Sequence, residues 1–296
     1  MKKVAIVVVT YNRLSFLKDL IDSLRAQDYK DSDIIVINNS STDGTLEYLE
    51  LQNDLIVITQ ENCGGAGGFF TGLKYAAEHN YEYAWIMDDD VLVKKESLSK
   101  LMDKTRDCNG FLCSKVIDSA GNPCNVPGIY MGKQANGEVE WNKKIEDKLI
   151  KLSVASFVSV LIPVPIIKEI GLPYKEFFIW NDDIEYTKRI SSKYESYMVG
   201  DSIVEHRRIQ NGILSIVTET NKRRINMFFY FYRNYLFYAK SCSKREYLIC
   251  ILRMERDFLK CLFRLNMRKC FIIIKAQLAS LFFKPKIYFP TEQFQN

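Results

Sequence analysis

Histidine is scarce in this sequence, with two in 296 residues, and none of the eight cysteines sits in a C-x-x-C pair. No common zinc module can be assembled from that supply. The cysteines, at 63, 108, 113, 124, 242, 250, 261 and 270, read as reduced thiols of a cytosolic protein. No stretch reaches the ~18 uninterrupted apolar residues of a membrane-spanning helix. The opening run "VAIVVVTYN" is too short for a signal-peptide core with its cleavage site and reads as a strand. Internal repeats and low-complexity segments are absent. The glycine-rich "CGGAGGF" (63–69) is neither G-x-G-x-x-G after the first strand nor a P-loop ending in G-K-[ST], which excludes the common dinucleotide and NTPase readings.

What is present is ordinary globular composition, 47% hydrophobic and 26% charged, with an uneven charge distribution. Residues 222–286 hold 16 Lys/Arg against 3 Asp/Glu, a net of +13, while the rest of the chain carries a net of −8. Such a split predicts two regions with different partners.

"VAIVVVT" (4–10) is a β-branched run suited to a strand covered on both faces. Leu17, Leu20, Ile21 and Leu24 then share one helix face. "DIIVIN" (33–38), "LIVIT" (55–59) and "YAWIMD" (83–88) predict three further strands, with helices over 44–52 and 68–79 between them. The alternation predicts parallel pairing and a doubly wound sheet. Beyond Asp90 the pattern loosens. A strand over 155–163, a loop and helix over 169–190, and a strand then a polar "VEHRR" loop over 196–208 are expected. "TYNR", "NNSSTDG", "ENCGGAGG" and "DDD" all follow strands, at the C-terminal edge where open α/β sheets bind ligands.

Four groups of residues offer chemistry there. In an extended segment Asp88 and Asp90 point to one side and Asp89 to the other. The pair reads either as half of a hard-cation site that can hold a diphosphate or as a solvated acidic turn. In "WNDDIE" (180–185), Asn181 or Asp182 can cap a helix with Glu185 closing a capping box. Asp183 beside it stays ionised near the helix N-terminus, as a base must. His206 reads as a ligand or as a surface histidine, and His79 has no assigned role. The glycines of 63–69 read as a linker or as a phosphate-cradling loop that lets a ligand approach closely.

Taken together, "TYNR", "NNSSTDGT", "NCGGAGGF", "MDDD", "FIWNDDIE" and the later histidine resemble the inverting family 2 glycosyltransferases over residues 4–208. The likeness is greatest to the bacterial galactofuranosyltransferase and rhamnosyltransferase branch. It implies the GT-A fold: α/β, a Rossmann-like, mostly parallel central sheet flanked by helices, with a C-terminal helical appendage. The domains it implies are a catalytic domain over 1–215, with a nucleotide-binding half (1–92) and an acceptor-binding half (93–215), followed by a basic, aromatic-rich helical region over 216–296. Carried over position by position, Thr10, Tyr11 and Arg13 line the nucleotide pocket. Asn39 stands where many relatives have an aspartate that reads the base edge, which leaves the base open between UDP and dTDP. Asn62, Gly64, Gly65 and Gly68 join the nucleotide-sugar site. Asp88, Asp90 and His206 hold Mn²⁺ or Mg²⁺. Asp89 is grouped with the nucleotide-sugar positions without a defined role. Asp183 is the general base, and Trp180, Asp182 and Glu185 shape the acceptor site.

The implied reaction moves a sugar such as galactofuranose or rhamnose from a nucleoside-diphosphate sugar to a hydroxyl of a lipid-linked saccharide, in capsule or O-antigen synthesis. The alternatives are a sugar nucleotidyltransferase, or a non-catalytic nucleotide-sugar-binding protein at a membrane. The basic, aromatic-rich stretches 223–240 and 250–284 suit an anionic membrane surface, although part of their apolar content must be core. Nucleic acid is not expected as a partner, because no recognised module is present. The expected place is cytoplasmic, peripheral at the inner face of the membrane. A homo-oligomer is left open.

Overall fold

The first strand, β1 (Val4–Thr10), is buried along its whole length. Its side chains alternate between two cores, as strand geometry dictates. Ala5, Val7 and Val9 face one layer with Phe69, Leu73 and Ala76. Val4, Ile6 and Val8 face the other with Leu17, Leu20, Ile21 and Leu24 of α1 (Leu14–Arg25). Each such side chain, fully buried, contributes roughly 1.5–3 kcal/mol. A computed structural model describes residues 3–133, 137–207 and 214–291. Arg208 of the expected polar loop and the last residues of the expected C-terminal region, 292–296, lie outside the described residues.

The doubly wound pattern continues through β2 (Ser32–Asn38), α2 (Thr45–Glu50), β3 (Leu55–Thr59), α3 (Gly64–Glu78) and β4 (Tyr83–Asp88). All pairings among these four strands are parallel, in the order β3-β2-β1-β4. After β5 (Val91–Val93) and α4 (Ser97–Asp103) the sheet becomes mixed. It takes in β6 (Leu112–Ile117), β7 (Gly128–Ile129), β8 (Leu149–Val154), β9 (Val160–Pro163) and, past α5 (Val164–Ile170) and α6 (Asp182–Ser191), β10 (Ser196–His206). The strand order is β3-β2-β1-β4-β9-β6-β10-β8-β7, with β5 antiparallel to β10 off that path. The expected α/β fold is therefore present, parallel in its first four strands and largely antiparallel after them. Buried hydroxyls tie the second half together: Trp85 Nε1 donates to Ser159 Oγ at 2.9 Å, and Ser114 Oγ meets Ser159 Oγ at 2.8 Å and Ser202 Oγ at 2.7 Å.

Three local expectations are corrected. The strand expected over 155–163 begins only at Val160, because the backbone groups of Ala155 pair with Thr187 Oγ1 instead of a neighbouring strand. The helix expected from Gly68 begins at Gly64, so the glycines form its first two turns. A Cβ on Gly68 would overlap Val9, and one on Gly72, one turn beyond the run, would overlap Val7, so these two glycines let α3 lie close on β1. His206 is not in a polar loop but ends β10, buried and paired with Val91.

The chain divides into two compact units. Described residues 3–175, 183–207 and 287–291 form the sheet unit, and 176–182 with 214–286 form a helical unit. The helical unit holds α7 (Lys222–Cys242), α8 (Lys244–Phe263) and α9 (Met267–Phe282) around a core that includes Phe228, Tyr232, Leu236, Met254 and Ile273. Asn221, Ser243 and Asn266 cap these three helices through their side chains. Among the described residues, no helix is long and apolar enough to cross a membrane.

Candidate active site

The parallel register sets Val9 beside Asp88, so β1 and β4 end together. The chain then turns instead of staying extended, and Asp89 folds back under β1. Asp89 Oδ2 accepts from Thr10 Oγ1 at 2.8 Å and lies 3.4 Å from Tyr11 N. Arg13 Nη1 donates to Asp89 Oδ1 at 3.1 Å and to Asp90 Oδ2 at 2.5 Å. Asp89 is thus the node that joins "TYNR" to "DDD". Burial pushes its carboxyl up to about 6 against the opposing pull of Arg13 and Thr10. Thr10 is itself buried and bears on the site through Asp89, not as an open pocket wall, whereas Tyr11 is 47% exposed.

The short strand β5 directly follows the aspartates. Its antiparallel pairing with β10 carries His206 to Asp90, with His206 Nε2 3.0 Å from Asp90 Oδ1 and Arg207 N donating to Asp90 O at 2.8 Å. His206 Nδ1 lies 2.8 Å from Asn125 Oδ1. With a cation bound, a neutral imidazole that donates its Nδ1 hydrogen there would present the Nε2 lone pair to the ion. Ligand atoms of Asp88, Asp90 and His206 all lie within 4.8 Å of one another. Two carboxylates and an imidazole form a donor set that fits Mn²⁺ or Mg²⁺. Burial opposes ionisation of Asp90, but His206 and Arg13 outweigh it and hold the carboxyl below the usual range. Arg13, in turn, is held above its ordinary value by Asp89, Asp90 and Asp88, which outweigh its own burial.

The neighbouring loops are tied to this centre. Thr42 N donates to Asn12 Oδ1 at 2.6 Å, Asn12 N to Ser41 Oγ at 3.0 Å, and Leu14 N to Asp43 Oδ2 at 3.0 Å. Asn39 is buried, with Nδ2 donating to Gly64 O at 3.1 Å and Oδ1 accepting from Gln60 Nε2 at 2.8 Å. Its amide fastens β2 to the start of α3. Asn62 Oδ1 accepts from Gly64 N at 2.9 Å. Gly65, by contrast, faces open space at the start of α3.

Asp183 lies at the start of α6, where Oδ1 accepts from Ile184 N at 2.8 Å. Burial outweighs that bond and pushes its carboxyl up to about 6. Glu185 closes no capping box. Arg189 holds its carboxylate through two bonds, at 3.0 and 2.9 Å, and itself donates to the carbonyls of Ile170 and Leu172. Glu185 therefore fixes α6 and does not offer a free carboxylate to a ligand.

Within the helical unit, the strap 176–182 carries Trp180 and Asp182 and is held to α7. Phe178, Trp180 and Asn181 have φ of 66°, 65° and 66°, a costly run for non-glycine residues. The fully buried Asn234 stabilises it: Nδ2 lies 2.9, 3.1 and 2.9 Å from the carbonyls of Phe177, Ile179 and Trp180. Arg233 Nη2 donates to Glu176 O at 2.6 Å, and Asn181 Nδ2 to Phe231 O at 3.2 Å. The Trp180 ring packs on Phe228 and Phe231. Sequence reasoning missed Asn234 and Asn125. A polar residue on the otherwise apolar face of an aromatic helix was the available signal for Asn234. Asn125 offered none.

A doubly wound first half, a largely antiparallel second half and an acidic cluster where β4 ends define a GT-A glycosyltransferase fold. Residues 5–152 match the model of Glycosyl transferase family 2, and the chain belongs to that family. It is 33% identical over 89 residues to the galactofuranosyltransferase GlfT1 of Mycolicibacterium smegmatis, covering 29% of this chain and 30% of that protein. It is 30% identical over 167 residues to the GalNAc(5)-diNAcBac-PP-undecaprenol beta-1,3-glucosyltransferase of Campylobacter jejuni, covering 54% and 52%. The matched segments thus span about half or less of these relatives' own lengths. Among solved structures, residues 1–349 of S. aureus TarS with UDP-GlcNAc superpose at a TM-score of 0.55 and 15% identity, covering 95% and 91% of the two chains. The mannosyltransferase PcManGT of Pyrobaculum calidifontis with GDP-Man and Mn²⁺ does so at 0.53 and 15%, covering 94% and 87%.

Proposed function

We propose that the chain is a metal-dependent inverting glycosyltransferase, moving a sugar from a UDP- or dTDP-linked donor to a hydroxyl of a lipid-linked bacterial saccharide. The observation that carries this reading is the convergence of Asp88, Asp90 and His206 where β4 ends. The names of the two relatives, a galactofuranosyltransferase and an enzyme acting on a PP-undecaprenol saccharide, support the donor and acceptor classes.

In this reading the exposed Tyr11 ring receives the base, and the open first turn of α3 at Gly65 receives the diphosphate, which a helix N-terminus favours. Asp88, Asp90 and His206 would hold Mn²⁺ or Mg²⁺, which supplies positive charge against the leaving diphosphate when bound. Arg13 balances the paired carboxylates of Asp89 and Asp90. Asp183 takes the proton of the acceptor hydroxyl as that oxygen attacks the anomeric carbon from the face opposite the nucleotide. The bond from the anomeric carbon to the diphosphate oxygen breaks, nucleoside diphosphate leaves, and the single displacement inverts the configuration. A carboxyl near 6 is a stronger base than an ordinary aspartate and is still ionised at neutral pH.

A donor panel tests the proposal. Metal-dependent release of UDP or dTDP with sugar transferred is expected. Release of pyrophosphate would assign a nucleotidyltransferase instead.

A further inference from the structure

The exposed apolar residues of the chain are concentrated in one place. Of the 21 large hydrophobic residues exposed among the described residues, 12 lie between Leu248 and Phe282. On α8, Leu248, Leu252, Leu259 and Phe263 recur at spacings of four and seven, and so form one row. The inward row of the same helix is Cys250, Met254 and Cys261. On α9, Phe271, Ile274, Leu278 and Phe282 form a second outward row, opposite Ile273 and Ala276 in the core. Leu265 between the two helices and Met267 at the start of α9 are exposed as well. Phe263, Leu265 and Phe282 are 85%, 84% and 82% exposed, more than any core-forming role would leave them. An apolar surface of this extent marks a binding face.

Its charge selects the occupant. Residues 244–286 hold 11 Lys/Arg and 3 Asp/Glu, a net of +8. Two of those acids are engaged locally: Asp257 accepts from Tyr232 Oη and Arg256, and Glu255 accepts from Gln277. The exposed Arg245 and Lys260 flank the outward row of α8, and the exposed Arg268 and Lys275 flank that of α9. Apolar rows edged with cations match a bilayer surface, where the rings and leucines enter the acyl boundary and the cations meet anionic headgroups. A second copy of the same face would bring like charges together. We propose that the outward face of α8 and α9 docks the protein on an anionic phospholipid bilayer. This goes beyond the transfer reaction and stands without it.

Vesicle binding of the full chain tests the proposal. Phosphatidylcholine vesicles with and without phosphatidylglycerol are compared, using wild type, the Phe263→Ser/Leu265→Ser double variant and the Arg245→Glu/Lys260→Glu double variant. Thermal midpoint and nucleoside-diphosphate affinity serve as fold controls. Wild type is expected to bind the anionic vesicles, more weakly as salt rises, and each double variant to bind about ten-fold more weakly or worse with both controls unchanged. Equal binding to neutral vesicles, no vesicle binding, or wild-type binding by the charge-reversal variant would overturn the proposal. So would a wild-type dimer that the apolar variant dissociates, since a second copy would then own the face. Transfer activity without vesicle binding overturns this proposal alone. Vesicle binding without transfer overturns the proposed reaction alone.

Discussion

His206 Nε2 lies 3.0 Å from Asp90 Oδ1 across 116 residues of chain. The pairing of β5 with β10 creates that contact, because β5 leaves Asp90 directly and β10 ends on the histidine. The relationship predicts a cation effect on stability. Mn²⁺ at about 100 times its Kd should stabilise wild type by about 2.7 kcal/mol, a rise of several degrees in thermal midpoint. His206→Ala and Asp90→Asn should each abolish the rise, as read by differential scanning fluorimetry with and without EDTA. An unchanged rise in both variants would place the cation elsewhere.

Asp183→Asn should lower transfer by about 10²–10⁴-fold while nucleoside-diphosphate affinity stays at the wild-type value. The same substitution should raise the thermal midpoint at pH 7. A carboxyl raised by burial binds its proton more tightly in the folded than in the unfolded chain. Its contribution to stability is therefore greatest below the unfolded value and declines as pH rises through about 6. A neutral amide avoids that decline. A variant that is inactive and less stable at pH 7 would show that the aspartate acts structurally.

For wild type, the acid limb of the rate profile should fall near pH 6, because the base must be ionised. Stopped transfer assays from pH 5 to 8 read this directly. A limb near pH 4 would show that the carboxyl is not raised in the donor complex.

The glycines of α3 should separate into two classes. Gly68→Ala and Gly72→Ala overlap Val9 and Val7 and should each destabilise by about 1–3 kcal/mol in urea unfolding. Gly65→Ala meets nothing within 4 Å. It should leave stability unchanged or raise it by up to about 1 kcal/mol, yet weaken donor binding if the diphosphate lies there. Unaltered donor affinity in Gly65→Ala would remove the diphosphate from that turn.

Much of the first 90 residues was legible in the sequence, because the buried runs and the helix face of Leu17, Leu20, Ile21 and Leu24 have distinct periods. The second half was less so, since most of its strands are short and largely antiparallel and Ala155 pairs with a side chain instead of a strand. His206 was visible as a candidate, but its burial was not, because burial comes from the partner strand β5. The glycine run suggested a ligand loop when one of its members, Gly68, serves helix packing together with Gly72 beyond the run. Asn39 and Glu185 carried family positions whose side chains the local structure ties up with Gln60, Gly64 and Arg189.

Asn234 should hold the strap 176–182 within the helical unit. Asn234→Ala removes the amide from the carbonyls of Phe177, Ile179 and Trp180 and should destabilise that unit by about 1–3 kcal/mol in urea unfolding. Unchanged stability would show that the amide does not hold the strap.

In the proposed reaction the acidic cluster and Asp183 act in one transfer step. The most direct test incubates wild type and Asp183→Asn with UDP- and dTDP-sugars, a saccharide acceptor and Mn²⁺, and measures released nucleoside diphosphate together with the anomeric configuration of the product. The account predicts metal-dependent release with inversion in wild type, and its loss in the variant with donor still bound. Retention of configuration, release of pyrophosphate, or full activity in Asp183→Asn would contradict it.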